Sequence, residues 1–281
     1  MAKFSDILLT VDFDRTLTAP DSTIPPRNLE AIRYFMENGG AFTVNTGRSL
    51  PMIVNRMHEI PVNAPLLLYN GSAAYDWQKR EFTFQHPIDL KWQDAVIRCM
   101  NIVPNLTVEI QGVDAHYSLG ENPVWRDFTK ANDCAWAYVT EEDELDPFLK
   151  FSVYGHIRQK GVGHLFDATD EEVRELDEVE AILNREFGDK TVVFRAGKRI
   201  IDLHCKGVSK GRSARELQQK LGRKILICVG DGENDVSMLD QADYGYCPAD
   251  AVISDRYENV CSCAEGAVAQ VIYEKIPQIL E

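Results

Sequence analysis

The run Ile7-Leu8-Leu9-Thr10-Val11-Asp12-Phe13-Asp14-Arg15-Thr16 decides how this chain is read. Its nearly continuous apolar opening marks a strand covered on both faces, the kind that sits at the centre of a parallel sheet. The strand ends in two aspartates two positions apart. In an extended chain such side chains share a face, and Phe13 between them points the other way into apolar packing. Two carboxylates on one face repel, and without a cation one of them takes up a proton. A strand-ending turn or a helix cap explains one such aspartate more readily than two.

Outward from this run the pattern is strand, helix, strand, helix, strand. Pro25 and Pro26 suit the first turn of a helix whose apolar positions are Leu29, Ile32, Phe35 and Met36, and Gly39-Gly40 stop it. A second strand at 41–45 ends in Thr46-Gly47-Arg48, a helix is expected after Pro51, and a third strand at 66–69 ends in Asn70-Gly71. From about Asp76 to Phe194 the rhythm changes. Amphipathic helices are expected at 90–100 and 171–187, and strands at 81–84, 107–110 and 191–194. Thr169 and Glu172 have capping-box spacing, and Leu176, Val179, Leu183 and Phe187 form one apolar face. The acidic stretch 141–146 reads as a solvated loop. The α/β rhythm resumes near Ile200, with a helix after Ser209, a strand at 225–229 ending in Gly230-Asp231, a helix from about Asn234 and a helical segment at 264–276. The expected fold is therefore α/β: a Rossmann-like parallel-sheet core made of 1–80 and 198–281, with an inserted α+β cap domain at 81–197.

The 281 residues carry 44 acidic against 30 basic side chains, a formal charge of -14. Such a surface repels nucleic acid and anionic membrane, so neither is an expected partner. A phosphorylated ligand would need local positive charge from a metal, a lysine or backbone N–H groups. No stretch approaches the ~18 apolar residues of a membrane helix, and the N-terminal apolar run is too short for the core of a signal peptide. Seven scattered cysteines form no even framework, so a reduced, cytoplasmic protein is expected. Cys247, Cys261 and Cys263 read as small buried hydrophobes rather than metal ligands.

Ligands of parallel α/β sheets bind at the carboxyl ends of the strands. Three such ends carry polar clusters here: Asp12 with Asp14, Thr46, and the run Gly230-Asp231-Gly232-Glu233-Asn234-Asp235. A helix start carries Lys210. Taken singly, Thr46 reads as a turn residue, Lys210 as a surface charge, and 231–235 as a turn with a helix cap. Taken together, hard oxygen ligands gathered this way suit Mg²⁺.

These segments resemble, in order, the four motifs of the haloacid dehalogenase-like superfamily: Asp12-Phe13-Asp14-Arg15-Thr16, Asn45-Thr46-Gly47-Arg48, Lys210 within Gly207-Val208-Ser209-Lys210-Gly211, and Gly230–Asp235. The last motif and the large insertion between the second and third are most similar to the Cof-like branch of sugar and cofactor phosphatases. The resemblance implies a Mg²⁺-dependent hydrolase of a small phosphorylated metabolite, such as a sugar or cofactor phosphate. It casts Asp12 as nucleophile, forming an aspartyl phosphate, and Asp14 as general acid and base. It places Mg²⁺ among Asp12, the Asp14 carbonyl and Asp231, with Asp235 in support. It makes Thr46 and Lys210 phosphate-binding and catalytic, and brings Gly47, Arg48 and Asn234 to the substrate. One departure is Arg15, where that branch usually has glycine. A phosphomutase could use the same core, and a non-catalytic phosphoacceptor domain gathers similar residues in a shorter chain. The cap is expected to read the leaving group, with Trp125, Arg126, His156 and Arg195 as candidates.

Overall fold

A computed structural model describes residues 2–102, 107–145, 147–155 and 169–280. They form two compact units. One comprises Met1–Gly47, Arg56–Phe84 and Ser209–Glu281; the other comprises Arg48–Asn55 and Gln85–Val208.

The first unit opens with β1 (Ile7–Val11), every residue of which is buried. Helix α1 (Pro26–Glu37) follows with proline in its first turn, and its Ala31, Ile32 and Phe35 are buried. Strand β2 (Ala41–Val44) leads to a single helical turn, α2 (Leu50–Ile53), capped by Ser49. The helix expected after Pro51 is thus short, and the segment carrying it belongs to the second unit. Strands β3 (Leu66–Leu68), β4 (Ala73–Asp76) and β5 (Glu81–Gln85) make a small sheet, whose β3 also bridges to Asn45 in parallel.

The second unit contains α3 (Trp92–Ile102), β6 (Thr107–Gly112), β7 (His116–Leu119), α4 (Pro123–Ala131), β8 (Trp136–Val139), β9 (Phe148–Tyr154), α5 (Asp170–Phe187), β10 (Thr191–Gly197) and β11 (Ile200–Cys205). Its six strands pair in the order β10-β11-β9-β6-β7-β8. Helix α5 starts at the expected capping box: Glu172 N–H donates to Thr169 Oγ1 at 3.3 Å and Thr169 N–H donates to Glu172 Oε2 at 2.8 Å. Leu176, Val179 and Leu183 on its apolar face are fully buried against Ile110, Phe151, Val153 and Leu203 of the sheet. Burying such side chains stabilises by about 1.5–3 kcal/mol each.

Two sequence readings are corrected here. Residues 200–205 do not resume the parallel rhythm. They pair antiparallel with both β10 and β9 and complete the inserted sheet. A seam at 197/198 would cut the β10–β11 hairpin, and one at 80/81 would detach β5 from its sheet; the compact units divide instead at 84/85 and 208/209, with a further excursion at 48–55.

The chain returns to the first unit through α6 (Lys210–Lys220), β12 (Ile225–Val229), α7 (Val236–Gln241), β13 (Tyr244–Pro248) and β14 (Glu258–Val260), and closes with α8 (Ala267–Gln270), which runs on helically to Leu280. All five main strands are parallel, in the order β14-β13-β12-β1-β2. The register matters more than the order. Val11 pairs with Val229 on one side and with Val44 on the other, so β12, β1 and β2 end level. Asp12, Gly230-Asp231 and Asn45-Thr46 therefore leave the sheet together. Among the described residues no helix is long and apolar enough to cross a membrane.

Leu8 is fully buried between these strands, whereas Val252 is 74% exposed. Leu8→Ala is expected to lower unfolding free energy by about 2–5 kcal/mol, and Val252→Ala by less than about 0.5 kcal/mol. Urea unfolding followed by circular dichroism checks both; equal losses would contradict the packing described.

Candidate active site

Asp12 follows the last residue of β1 and stays in line with the sheet, its N–H donating to Val229 O at 2.9 Å. The chain then turns at once: Leu17 N–H reaches back to Asp12 O at 3.2 Å and Thr18 N–H to Phe13 O at 3.0 Å. Phe13 is fully buried, as the alternation of side chains requires. Asp14 is half-buried, with extended backbone (φ -76°, ψ 128°), and Arg15 takes a left-handed conformation (φ 58°). Thr16 is buried and its hydroxyl donates to Asp231 Oδ1 at 3.2 Å.

Lys210 begins α6, and its side chain is fully buried. Its ammonium donates to Asp12 Oδ1 at 2.6 Å and to Asp235 Oδ1 at 2.5 Å. Burial alone would strip the proton from such a lysine, but the two carboxylates outweigh it and raise its pKa, so it stays charged. Asp235 is committed on both oxygens, since its Oδ2 accepts the N–H groups of Asp231 and Gly232 at 3.0 Å each. A Cβ on Gly230 would lie 2.5 Å from the Cβ of Asp235, so this turn closes only with glycine there.

The strand-end turns of β2 and β3 lock onto one another. Asn70 N–H donates to Thr46 O at 3.0 Å, and Asn234 Nδ2 donates to Asn70 Oδ1 at 3.2 Å. Tyr69, Asn70 and Gly71 all have positive φ (53°, 54° and 94°). A Cβ at Gly71 would meet Ser209 O at 2.5 Å, so this strained turn packs its backbone directly against the start of α6. Asn45 Nδ2 donates to Lys210 O at 2.9 Å, which fixes α6 from the other side.

Asp12, Asp231 and Asp235 each offer a carboxylate oxygen within 4.8 Å of the others, the one group of this kind among the described residues. Their mutual charge has a visible effect. Burial first, and then the neighbouring aspartates, push the Asp12 carboxyl well above its ordinary range despite Lys210. Burial and Asp235 push Asp231 up to about 7, against Lys210, Thr16 and Arg15. One ammonium does not balance three buried carboxylates. An all-oxygen donor set with surplus negative charge fits Mg²⁺. With Asp235 committed to Lys210 and backbone N–H groups, Asp12 and Asp231 are the carboxylates best placed to hold it.

The sequence-derived residues thus divide. Asp12, Asp231, Asp235 and Lys210 form one cluster; Asn70 links Thr46 to Asn234, the residue before Asp235. Gly47 ends the first unit's segment, while Arg48 falls in the second unit. Thr16 and Asn45 carry contacts that the sequence reading did not assign, although both stand inside the quoted motifs, and Asn70, read there as the end of the third strand, links the turns at Thr46 and Asn234. Of the three cysteines read as small buried hydrophobes, Cys247 and Cys263 are fully buried, whereas Cys261 is only partly buried.

Within the second unit, buried Trp125 donates Nε1–H to Glu109 Oε1 at 3.1 Å. Arg195 pairs with Asp177 and with Glu180 at 3.1 Å, and Arg126 pairs with Asp127 at 2.8 Å. All three therefore have structural partners, and His156 lies outside the described residues. Glu109 gathers His116 Nδ1, Tyr154 OH and Gln111 Nε2 at 2.7, 2.7 and 2.8 Å. Burial pushes its carboxyl up, but the His116 charge and these hydrogen bonds prevail and hold it at about 2.

Four motifs in register at the ends of a parallel sheet, with a buried lysine between aspartates, define a phosphoryl-handling α/β hydrolase. Residues 9–267 match the haloacid dehalogenase-like hydrolases, and the chain belongs to that family, in its Cof-like branch. It is an enzyme of the phosphatase type found there. Among curated relatives, the pyridoxal phosphate phosphatase YbhA of Escherichia coli is 22% identical over 280 residues, covering 96% of this chain and 98% of its own. Among solved structures, a haloacid dehalogenase-like hydrolase from Bacteroides thetaiotaomicron superposes with a TM-score of 0.77 at 23% identity, covering 99% of this chain and 100% of its own. The subclass IIB sugar phosphatase BT4131 superposes with a TM-score of 0.73 at 17% identity, covering 96% of this chain and 99% of its own.

Lys210→Met leaves Asp12 and Asp235 buried without their ammonium and is expected to cost roughly 3–5 kcal/mol of stability. Adding Asp235→Asn removes one of the stranded charges, so the double variant should be more stable than the additive sum by at least about 1 kcal/mol. Urea unfolding of the two single variants and the double variant measures the coupling; strict additivity would mean that the pair does not interact.

Proposed function

We propose that the chain is a Mg²⁺-dependent phosphomonoesterase acting on a small phosphorylated metabolite through an aspartyl phosphate on Asp12. The observation that carries this reading is the Asp12 carboxylate at the end of β1, an inner strand, with one oxygen on the buried Lys210 ammonium and Asp231 alongside. The pyridoxal phosphate phosphatase and the sugar phosphatase among its relatives support a sugar or cofactor phosphate as substrate.

In this reading Lys210 holds Asp12 Oδ1, which leaves Oδ2 to attack phosphorus. The new bond joins Oδ2 to phosphorus as the ester P–O bond breaks, and Asp14 gives its proton to the departing oxygen. Water then loses a proton to Asp14 and attacks phosphorus. The acyl-phosphate bond breaks, inorganic phosphate leaves, and the Asp12 carboxylate is restored. Thr46 and Lys210 donate to the phosphoryl oxygens and stabilise the charge that builds on them. Bound by Asp12 and Asp231, Mg²⁺ would supply the positive charge that lets a carboxylate approach an anionic ester.

Thorough EDTA treatment is expected to abolish turnover of p-nitrophenyl phosphate, and Mg²⁺ to restore it; turnover unchanged by chelation would sink the metal assignment. Asp14→Asn separates the two chemical steps. Nitrophenolate leaves without a proton, so the acyl phosphate should still form. Its hydrolysis, deprived of a general base, should slow by ~10²–10⁴-fold. Stopped-flow absorbance should then show a burst of about one equivalent per site, followed by slow turnover. A linear trace at near-parent rate would remove Asp14 from the mechanism.

A further inference from the structure

Arg15 stands in a strained backbone conformation beside the acidic cluster. Its backbone lies in the left-handed region at φ 58°, where a residue with a Cβ is strained and glycine is not. Something must hold it there. Locally, Arg15 N–H donates to Thr18 Oγ1 at 3.3 Å. At the other end of the residue, the guanidinium Nε stands 3.9 Å from Asp231 Oδ2. Thr16, the next residue, donates to Asp231 Oδ1 at 3.2 Å. Two consecutive residues of one turn thus attend to the two oxygens of the same carboxylate. The charge of Arg15 also reaches Asp250, whose carboxylate accepts Cys263 N–H at 3.0 Å. The arginine side chain is 52% exposed, so it can leave Asp231 for solvent without stranding a buried charge.

We propose that Arg15 is a resident counter-ion of Asp231 that competes with the divalent cation for this carboxylate, so that the chain binds Mg²⁺ more weakly than the same turn would with a neutral residue at 15. The proposal rests on the reading of Asp12 and Asp231 as the metal carboxylates. Physically, a positive charge a few ångströms from the site repels an incoming cation and withdraws negative charge from its ligand. Because the guanidinium is half in water, the effect is modest and screened by salt.

The test is calorimetric titration of the full chain, freed of metal by EDTA and dialysis, with MgCl₂ alone. The variants are Arg15→Gln, Arg15→Gly and Arg15→Lys, each checked for folding by circular dichroism. Arg15→Gln removes the charge and keeps the left-handed cost; Arg15→Gly removes both; Arg15→Lys keeps the charge. The Kd for Mg²⁺ should be roughly three- to tenfold lower in the Gln and Gly variants, close to the parent's in the Lys variant, and the gap should narrow in high salt. An unchanged or raised Kd in Arg15→Gln overturns the proposal. So does tightening confined to Arg15→Gly, which would make backbone conformation the cause. A raised KM for p-nitrophenyl phosphate in Arg15→Gln at an unchanged Mg²⁺ Kd also overturns it, in favour of a contact with the substrate. If the parent chain binds no Mg²⁺ at all, the metal reading fails, and this proposal falls with it.

Discussion

A buried ammonium held between two carboxylates is the constraint on which the first unit depends. The Lys210 side chain is buried away from bulk solvent, so the fold must bring Asp12 and Asp235 to its charge, from 198 and 25 residues away in sequence. Three elements are involved: the end of β1, the start of α6 and the turn after β12. The level ends of β12, β1 and β2 follow from the parallel register, and that register delivers the charged residues to one edge of the sheet. A pair of this kind adds little net stability, because desolvation cancels much of the attraction. It adds specificity, since any packing that separates the lysine from its partners leaves charges buried alone.

The same charges explain why the site is chemically unfinished as a protein. Three carboxylates and one lysine leave an excess of negative charge in a buried place, and the upward pressure on Asp12 and Asp231 expresses it. A packed core avoids such an excess; a divalent cation would offset it. The surrounding turns supply the rigidity. Tyr69, Asn70 and Gly71 hold left-handed backbone against Ser209 and Asn234, and such strain persists only where neighbours over-determine it.

The second unit solves a different problem. Its sheet presents Val108, Ile110, Phe151, Val153, Ile201 and Leu203 to the apolar core beneath α3 and α5. The alternate positions Glu109, Gln111, Lys150, Ser152, Asp202 and His204 are polar and also buried. Five of them survive burial because they are bonded to one another: Lys150 to Asp202 at 2.9 Å, Ser152 to Asp202 at 2.7 Å, and Gln111 to both Ser152 and Glu109. A network of this kind defines one register of the strands, because a slip of one residue would turn the polar set into the apolar core.

The sequence by itself determined the class of fold, the polar strand ends and the candidate set Asp12, Asp231, Asp235 and Lys210. Those were legible because hydrophobic runs and the polar residues that end them are local signals, and because four motifs occur in order. Even the α5 cap was readable, since Thr169 and Glu172 lie three residues apart. What only tertiary structure decided were the pairings. Nothing local distinguishes residues 200–205, an antiparallel partner of β9 and β10, from a strand of the parallel core; hydrogen-bonding partners far along the chain make that choice. The strand at 148–154 was invisible for the same reason, as its buried lysine and serine disguise it until Asp202 and Gln111 arrive beside them. Taken singly, Lys210 reads as one lysine among many, and Arg15 as a departure from the motif whose partner the sequence does not name. Their roles exist only where folding places a carboxylate next to each, because charge acts over ångströms in space and not over positions in a sequence.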